Sequence, residues 1–333
     1  MDRTRQIRNT PIPLDPMFLG VHGRERAETE LRRIVCGAKF ELLENEGSVR
    51  LLGPDMSYHR VDPYLSGYLQ KMGLAREDIL SYKLSTERVD FCFEDCWTGY
   101  FIADRLRQHR QGDDLTIIHV DGHSDMMATL LCLSGDMLTD ATSGAVFNPA
   151  CSSCWRSAIY SGSVTIGNFM TPLYYSSNRI HLRHVTNYLK LCEGCGIARA
   201  PQQYDLIPNK QFAAISKVDS TSAGEAGSYF VAPSPERVLE EKASGWTIIH
   251  IDLDYFINDF NGSSRDSGYI PPPGLRTKAA ERMERLFDVL GSVGPAVDRW
   301  IIATSPGFCS AYHWQWLLSE INRRIRAYEN ATA

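Results

Sequence analysis

The sequence predicts an α/β fold built on a mainly parallel sheet, and three observations carry that prediction. From residue 89 onward, short apolar runs alternate with amphipathic stretches, the pattern of strand–helix–strand units. Four of the runs, 89–93, 115–120, 247–251 and 300–303, are nearly continuous in β-branched, aromatic or other apolar residues, as parallel strands buried on both faces are. The two strongest runs end alike, as Ile117-Ile118-His119-Val120-Asp121-Gly122-His123-Ser124-Asp125 and Ile248-Ile249-His250-Ile251-Asp252-Leu253-Asp254.

The elements between them follow from local signals. Ser234 as N-cap, Pro235 in the first turn and Gly245 just past the end predict a helix over 236–243. A polar loop over 258–274 closes with Pro271, Pro272 and Pro273, and a helix over 275–290 leads into the last strand. The final helix, 311–328, carries Trp314, Trp316, Leu317, Leu318 and Ile321 as a packing stripe. Residues 1–85 show no clean strand–helix alternation and read as an irregular or helical N-terminal extension packed on the core. Residues 86–333 read as the main domain, with 145–230 as an insertion and the whole as one elaborated unit.

Composition bounds the function. Of 333 residues, 43% are hydrophobic, enough for one large domain or two modest ones. Thirty-five basic residues against forty acidic ones give a net charge of -5, which leaves no dominant basic face for nucleic acid or anionic lipid. No run approaches the ~20 apolar residues of a membrane helix, and residues 1–8 lack the apolar centre of a signal peptide, so a soluble, cytoplasmic protein is expected. The nine cysteines are an odd number in a long chain, which suits free thiols in a reducing compartment better than a disulfide scaffold. Cys151-x-x-Cys154 and Cys192-x-x-Cys195 form two paired knuckles, the ligand set of a structural Zn2+ that would staple the insertion; unpaired thiols or a disulfide are the alternatives.

The acidic strand ends carry the chemistry. In an open α/β sheet, ligands bind at the carboxyl edge, where the loops diverge around a crevice. Asp121, Asp125, Asp252 and Asp254 brought together there would repel one another unless a cation neutralised them, so their co-location predicts metal. Oxygen-rich ligation with one imidazole, His123, suits Mn2+ or Mg2+, and an aspartate can bridge two ions ~3.5 to 4 Å apart that activate water between them. Asp125, Asp254 and His250 are candidate catalytic residues. His119 and His250 share a strand face with the first Asp of each motif and read as packed or carboxylate-orienting rather than as ligands.

Asp121-Gly122-His123-Ser124-Asp125 and Asp252-Leu253-Asp254 resemble the D-x-H-x-D and D-x-D signatures of the ureohydrolase superfamily, which holds arginases and agmatinases and, more distantly, histone-deacetylase-like amidohydrolases. Glu94-Asp95 before the first motif, His-Ile-Asp-Leu-Asp-Tyr-Phe at 250–256 and Thr304-Ser305-Pro306 after the last strand are most similar to the peptide arginases, which convert arginine to ornithine within ribosomally made peptides. The similarity covers roughly residues 89–310. It implies a three-layer sandwich of the arginase/deacetylase type holding two manganese ions. Asp121 and Asp252 would bridge them, Asp125 would complete one site, and His123 with Asp254 would complete the other.

Cys96 stands 25 residues before Asp121, about where the family supplies a histidine ligand. It is either a soft ligand favouring zinc or a buried strand-end thiol. No His-Gly follows Asp125 by about a dozen residues, and residues 305–308 contain no glutamate for gripping a guanidinium. Asp140, Asp259 and Asp266 are the candidate acids for that grip, with Tyr255 and Asn168 as candidate pocket-lining residues. The resemblance implies hydrolysis of peptidyl arginine to peptidyl ornithine and urea by a metal-activated hydroxide, with an arginine-containing precursor peptide as partner. Two rivals remain: a mononuclear zinc deacylase using Asp121, His123 and Asp252 or Asp254, and a catalytically impaired peptide-binding protein that lost a metal site at Cys96.

Overall fold

The computed structural model describes residues 9–43, 46–109, 112–135, 137–188, 192–219, 224–240, 245–263 and 268–332. Strand β1 (Ile12–Pro13) leads into α1 (Pro16–Ile34), which begins where it does because Pro16 fits the first turn and the Asp15 carboxylate accepts the Met17 amide at 2.7 Å. A hairpin of β2 (Ala38–Leu43) and β3 (Ser48–Pro54) follows, with β1 on the other side of β3. Residues 1–85 therefore hold a small sheet, not only the irregular or helical structure expected. Both hairpin strands mix buried and exposed positions, and β2 pairs with β3 through a register shift, so their runs show no clean alternation. Their buried side chains, Val49 and Leu51, pack with Leu31 of α1 and with Leu130, Cys132 and Phe212 of the main body.

After α2 (Leu65–Lys71) come β4 (Lys83–Ser85), β5 (Val89–Cys92), α3 (Thr98–Gln108) and β6 (Asp114–Val120). Next are β7 (Leu131–Ser134), β8 (Met137–Asp140), β9 (Val146–Phe147), α4 (Ser152–Ser161), β10 (Arg179–Val185) and β11 (Glu193–Arg199). The chain continues through β12 (Gln202–Tyr204), β13 (Ile207–Phe212), β14 (Ile215–Val218) and β15 (Gly227–Ala232). It closes with α5 (Pro235–Leu239), β16 (Trp246–Asp252), α6 (Leu275–Val293), β17 (Arg299–Ala303) and α7 (Ala311–Thr332). The Ser234 hydroxyl caps α5 as anticipated, while residues 241–243 of the expected helix lie outside the described residues.

Among the described residues, nine strands form one mixed sheet in the order β14-β11-β15-β10-β6-β16-β17-β5-β4. The six from β15 to β5 are parallel, and the antiparallel strands stand at the two ends. Alternate residues of the central strands face opposite ways. Ile118, Val120, Ile249 and Ile251 pack on one face with Met283, Leu286, Leu317 and Ile321 of α6 and α7. Ile117 and Ile248 pack on the other with Ile102, Leu106, Trp155 and Ile159 of α3 and α4. Helices thus cover both faces, an arrangement compatible with a three-layer α/β fold.

The stretch 145–230 is not a separate insertion. It supplies β10, β11, β14 and β15, and β10 pairs directly with β6 in the middle of the sheet. Its sequence, Arg179-Ile180-His181-Leu182-Arg183-His184-Val185, alternates polar with apolar residues and lacks the unbroken apolar run by which the other parallel strands declare themselves. Among the described residues, no helix is long and apolar enough to cross a membrane.

Topology locates the crevice. The chain leaving β6 goes on to β10 on one side, whereas the chain leaving β16 goes to β17 on the other, although β6 and β16 are neighbours. Connections that diverge in this way open a gap at the carboxyl ends of the two strands.

Candidate metal centre

Strands β6 and β16 pair with His119 opposite His250 and Val120 opposite Ile251, so the two acidic motifs leave the sheet at the same level. Strand β17 pairs Ala303 with Asp252, and β5 pairs Cys92 with Ala303, which brings the residues after β5 and β17 to the same edge. Asp121 is fully buried, and its Oδ1 accepts the His123 amide at 2.7 Å. Asp252 accepts the Asp254 amide at 3.2 Å and a bond from the Ser305 hydroxyl. Asp254 in turn accepts the Gly122 amide at 3.0 Å. Only a glycine permits that approach, because a Cβ at position 122 would lie 2.8 Å from the Tyr188 ring and 3.0 Å from the Asp254 carboxylate. Asp125 (φ 52°) and Ser305 (φ 46°) adopt the left-handed backbone that non-glycine residues rarely occupy, and both face the same crevice.

A further carboxylate joins these four. Asp95, in the 3-10 turn Asp95–Trp97 after β5, comes within 4.8 Å of Asp121 and Asp125 measured between ligand atoms. Asp121, His123 and Asp254 form a second such group, and His119, Asp121 and His250 a third. Asp121 belongs to all three, as a ligand shared between ions would.

Burial, together with the charges of neighbouring aspartates, pushes Asp95, Asp121 and Asp252 well above the usual carboxylate range. Asp125 is raised to about 8, chiefly by burial, against the downward pull of His123. His123 moves up to about 9 because its Nδ1 lies 3.0 Å from Asp254 Oδ2. Asp95 Oδ1, Asp121 Oδ2 and Asp125 Oδ2 are buried without a hydrogen-bond partner among the described residues. Buried carboxylate oxygens with no donor are costly unless a cation occupies the space between them. This donor set of carboxylates and one imidazole fits a divalent metal, and the buried His and Asp groups could hold one.

The cluster opens into a cavity of about 310 Å³ lined by Asp95, His123, Asp125, Asp252, Asp254 and Ser305 together with Cys36, Tyr58, Glu94, Met127 and Phe308. Glu94 is 2% exposed, and its carboxylate accepts bonds from the Tyr58 hydroxyl at 2.7 Å and from His59 Nε2 at 2.6 Å. The N-terminal region thus furnishes Cys36 and Tyr58 to the wall and holds Glu94 in place.

Several expected residues stand elsewhere. Cys96 is 2% exposed and packs in the hydrophobic core beside Trp97 and Ile102, where burial pushes its thiol up; the tight turn directs its neighbour Asp95 to the cluster instead. His250 is fully buried and hydrogen-bonded to His119, and it does not line the cavity. Asn168 braces its own loop, accepting the Thr165 amide and donating to the Ala128 carbonyl, and Tyr255 sits in the core. Asp140 accepts bonds from Thr142 and Ser161, and Asp259 from the Ser310 amide and Tyr269, so neither reaches the cavity. Asp266 lies outside the described residues.

The paired cysteines do not converge. Cys151 and Cys154 flank the start of α4 and interact with each other, Cys195 lies on β11, and Cys192 is exposed just before that strand. All nine cysteines are free, and among the described residues no group placed to hold a metal includes one.

Glu94 and Asp95 take up roles that the acidic motifs alone do not announce; the signal for them in the sequence is their place at a strand end ahead of those motifs. Compared with protein-family models and with curated proteins, the chain matches none.

Proposed function

We propose that this chain is a metal-dependent hydrolase acting on the guanidinium group of a peptidyl arginine, releasing urea and leaving peptidyl ornithine. The observation that carries the reading is a cluster of five buried aspartates and His123, of which Asp95, Asp125, Asp252, Asp254 and His123 line a cavity whose wall also presents a fixed carboxylate, Glu94. A manganese pair, with Asp95, Asp121 and Asp125 available to one ion and Asp121, His123 and Asp254 to the other, would supply a water molecule of lowered pKa.

The chain's own residues then do the rest. Each oxygen of Glu94 already accepts one bond, from Tyr58 or His59, and retains a lone pair for a guanidinium N–H. Tyr58 and His59 hold that carboxylate in one orientation, so the cationic head meets a preorganised partner. Met127 and Phe308 offer apolar wall to the methylene stem of the side chain. Ser305 binds Asp252, and Gly122 binds Asp254, which keeps both carboxylates turned toward the cavity. Asp95 supplies a carboxylate beside the position where Cys96 left a ligand missing, and so weakens the case for an impaired protein.

The test is incubation of the purified chain with arginine-bearing peptides and each of Mn2+, Mg2+ and Zn2+, read by mass spectrometry and urea release. The expected product is lighter by about 42 mass units, and Asp121→Asn should abolish it. Failure of every metal on every arginyl peptide would overturn the reading. A specific observation favours one rival, because Asp121, His123 and Asp254 alone form the three-ligand set of a mononuclear zinc site with an open position. One bound zinc per chain, with turnover of acylated lysine peptides, would establish that reading instead.

A further inference from the structure

Three buried histidines lie side by side beneath the carboxylates. Strands β10, β6 and β16 pair so that His184 stands opposite His119 and His119 opposite His250. They are 2%, 0% and 0% exposed, with ring centroids 4.8 and 5.0 Å apart.

The partners of each ring fix where its proton sits. A carbonyl oxygen only accepts, so His119 Nε2, 2.9 Å from the His123 carbonyl, must carry a proton, as must His184 Nε2, 3.0 Å from the Asp121 carbonyl. In a neutral ring the other nitrogen is then an acceptor. His184 Nδ1 accepts from the Tyr229 hydroxyl at 2.9 Å, and His119 Nδ1 accepts from His250 Nδ1 at 2.9 Å. His250 therefore carries its proton on Nδ1, and its Nε2 is a buried lone pair without a partner among the described residues.

We propose that His119, His184 and His250 form a neutral row with one set of tautomers, Nε2–H on His119 and His184 and Nδ1–H on His250, which positions the Asp121–Asp125 turn for metal. The two carbonyls held by the row belong to the first and third residues of that turn. His119 Nε2 also lies 3.6 Å from Asp121 Oδ2 and 3.5 Å from Asp125 Oδ2, oxygens that have no hydrogen-bond partner among the described residues. With its proton there, His119 has no lone pair to give a cation; it stands behind the carboxylates as a positioning residue. The same proton count argues against an ion among His119, Asp121 and His250, because the Nδ1–Nδ1 bond already fills that space. Neutral rings follow from the packing, because three imidazolium charges 4.8 and 5.0 Å apart would repel one another in a row that is almost wholly shut off from water.

The inference rests on the metal reading of the site but not on the reaction proposed for it. Nitrogen-15 spectra of the full chain, labelled at histidine and free of metal, read the tautomers directly. They should show Nε2–H for His119 and His184, Nδ1–H for His250, and a coupling across the His119–His250 bond. An imidazolium at any of the three, or a proton on His250 Nε2, overturns the assignment.

The positioning role is read from Mn2+ titration of two folded variants. His119→Gln can still donate from the Nε2 position and should bind within about threefold of the native chain, whereas His119→Asn cannot and should lose about 10- to 100-fold in affinity. Equal affinities in the two variants overturn the role even if the tautomers stand, and so does tight binding by His119→Asn. Should neither variant fold, the spectra of the native chain decide, since a rigid row gives one set of signals and a disordered one gives averaged shifts. Loss of urea release with normal tautomers and metal affinity would count against the proposed reaction alone.

Discussion

Raising the pH of the metal-free protein from about 6.5 to about 8.5 should destabilise it, and a divalent cation should reverse the loss. Asp125 is raised from an ordinary value of 3.8 to about 8 while only 5% exposed, so the folded chain holds a proton there that the unfolded chain has released. The contribution is complete below the unfolded value and disappears as pH rises through the folded one. His123, raised to about 9, acts in the same direction above its ordinary 6.5. The depressed histidines oppose this only at lower pH, where their unfolded forms would be charged, which is why the window opens near 6.5.

One proton followed over about 1.5 pH units is worth about 2 kcal/mol, or a fall of roughly 3 °C in melting temperature for a chain of 333 residues. A cation at about 100 times its dissociation constant returns about 2.7 kcal/mol, and the return should grow with pH because the ligands bind it deprotonated. Scanning calorimetry in chelator, then with Mn2+, Mg2+ or Zn2+, measures both effects, and Asp121→Asn should flatten them. A metal-free melting temperature that holds or rises across the window, with no cation raising it, would refute the reasoning.

Replacing Glu94 by Gln keeps its shape but removes its charge; the Michaelis constant for a cationic substrate should rise about tenfold with kcat within a few fold, and an equal fall in kcat would place the residue in the chemical step instead. Arg299 makes a buried two-point pair with Asp90, at 2.6 and 2.5 Å, joining β17 to β5. Arg299→Ala should cost about 3 to 5 kcal/mol in denaturant unfolding because Asp90 is left buried and unpaired. The double variant Cys151→Ser and Cys192→Ser should melt within about 0.5 kcal/mol of the native chain and bind the same amount of zinc, since neither thiol is built into a metal site.

The acidic motifs were legible because each is contiguous. Asp121 through Asp125, and Asp252 with Asp254, directly follow apolar runs whose carboxyl ends must lie at one sheet edge once the strands are parallel and adjacent. Strands β5, β6, β16 and β17 were readable because their runs are mostly apolar, interrupted at single positions such as Asp90, His119, His250 and Arg299. Strand β10 was hidden because it alternates Arg179, His181 and Arg183 with apolar residues and resembles a half-exposed strand, although it lies beside β6. The choice between Asp95 and Cys96 could not be made from order along the chain, because a 3-10 turn after β5 decides which of two adjacent side chains enters the crevice.

Glu94 found its partners in Tyr58 and His59, 36 and 35 positions earlier, and no local pattern announces a contact of that range. The two cysteine pairs had suitable local spacing yet stand apart, because spacing within a pair says nothing of distance between pairs. What the residues dictate locally is where strands stop and which charges follow them, since hydrophobic burial and backbone periodicity act over a few neighbours. Which strand ends become neighbours, which side chain a turn rotates inward and which distant group braces it depend on strand order and packing across the whole chain, where the energies are shared among residues far apart in sequence.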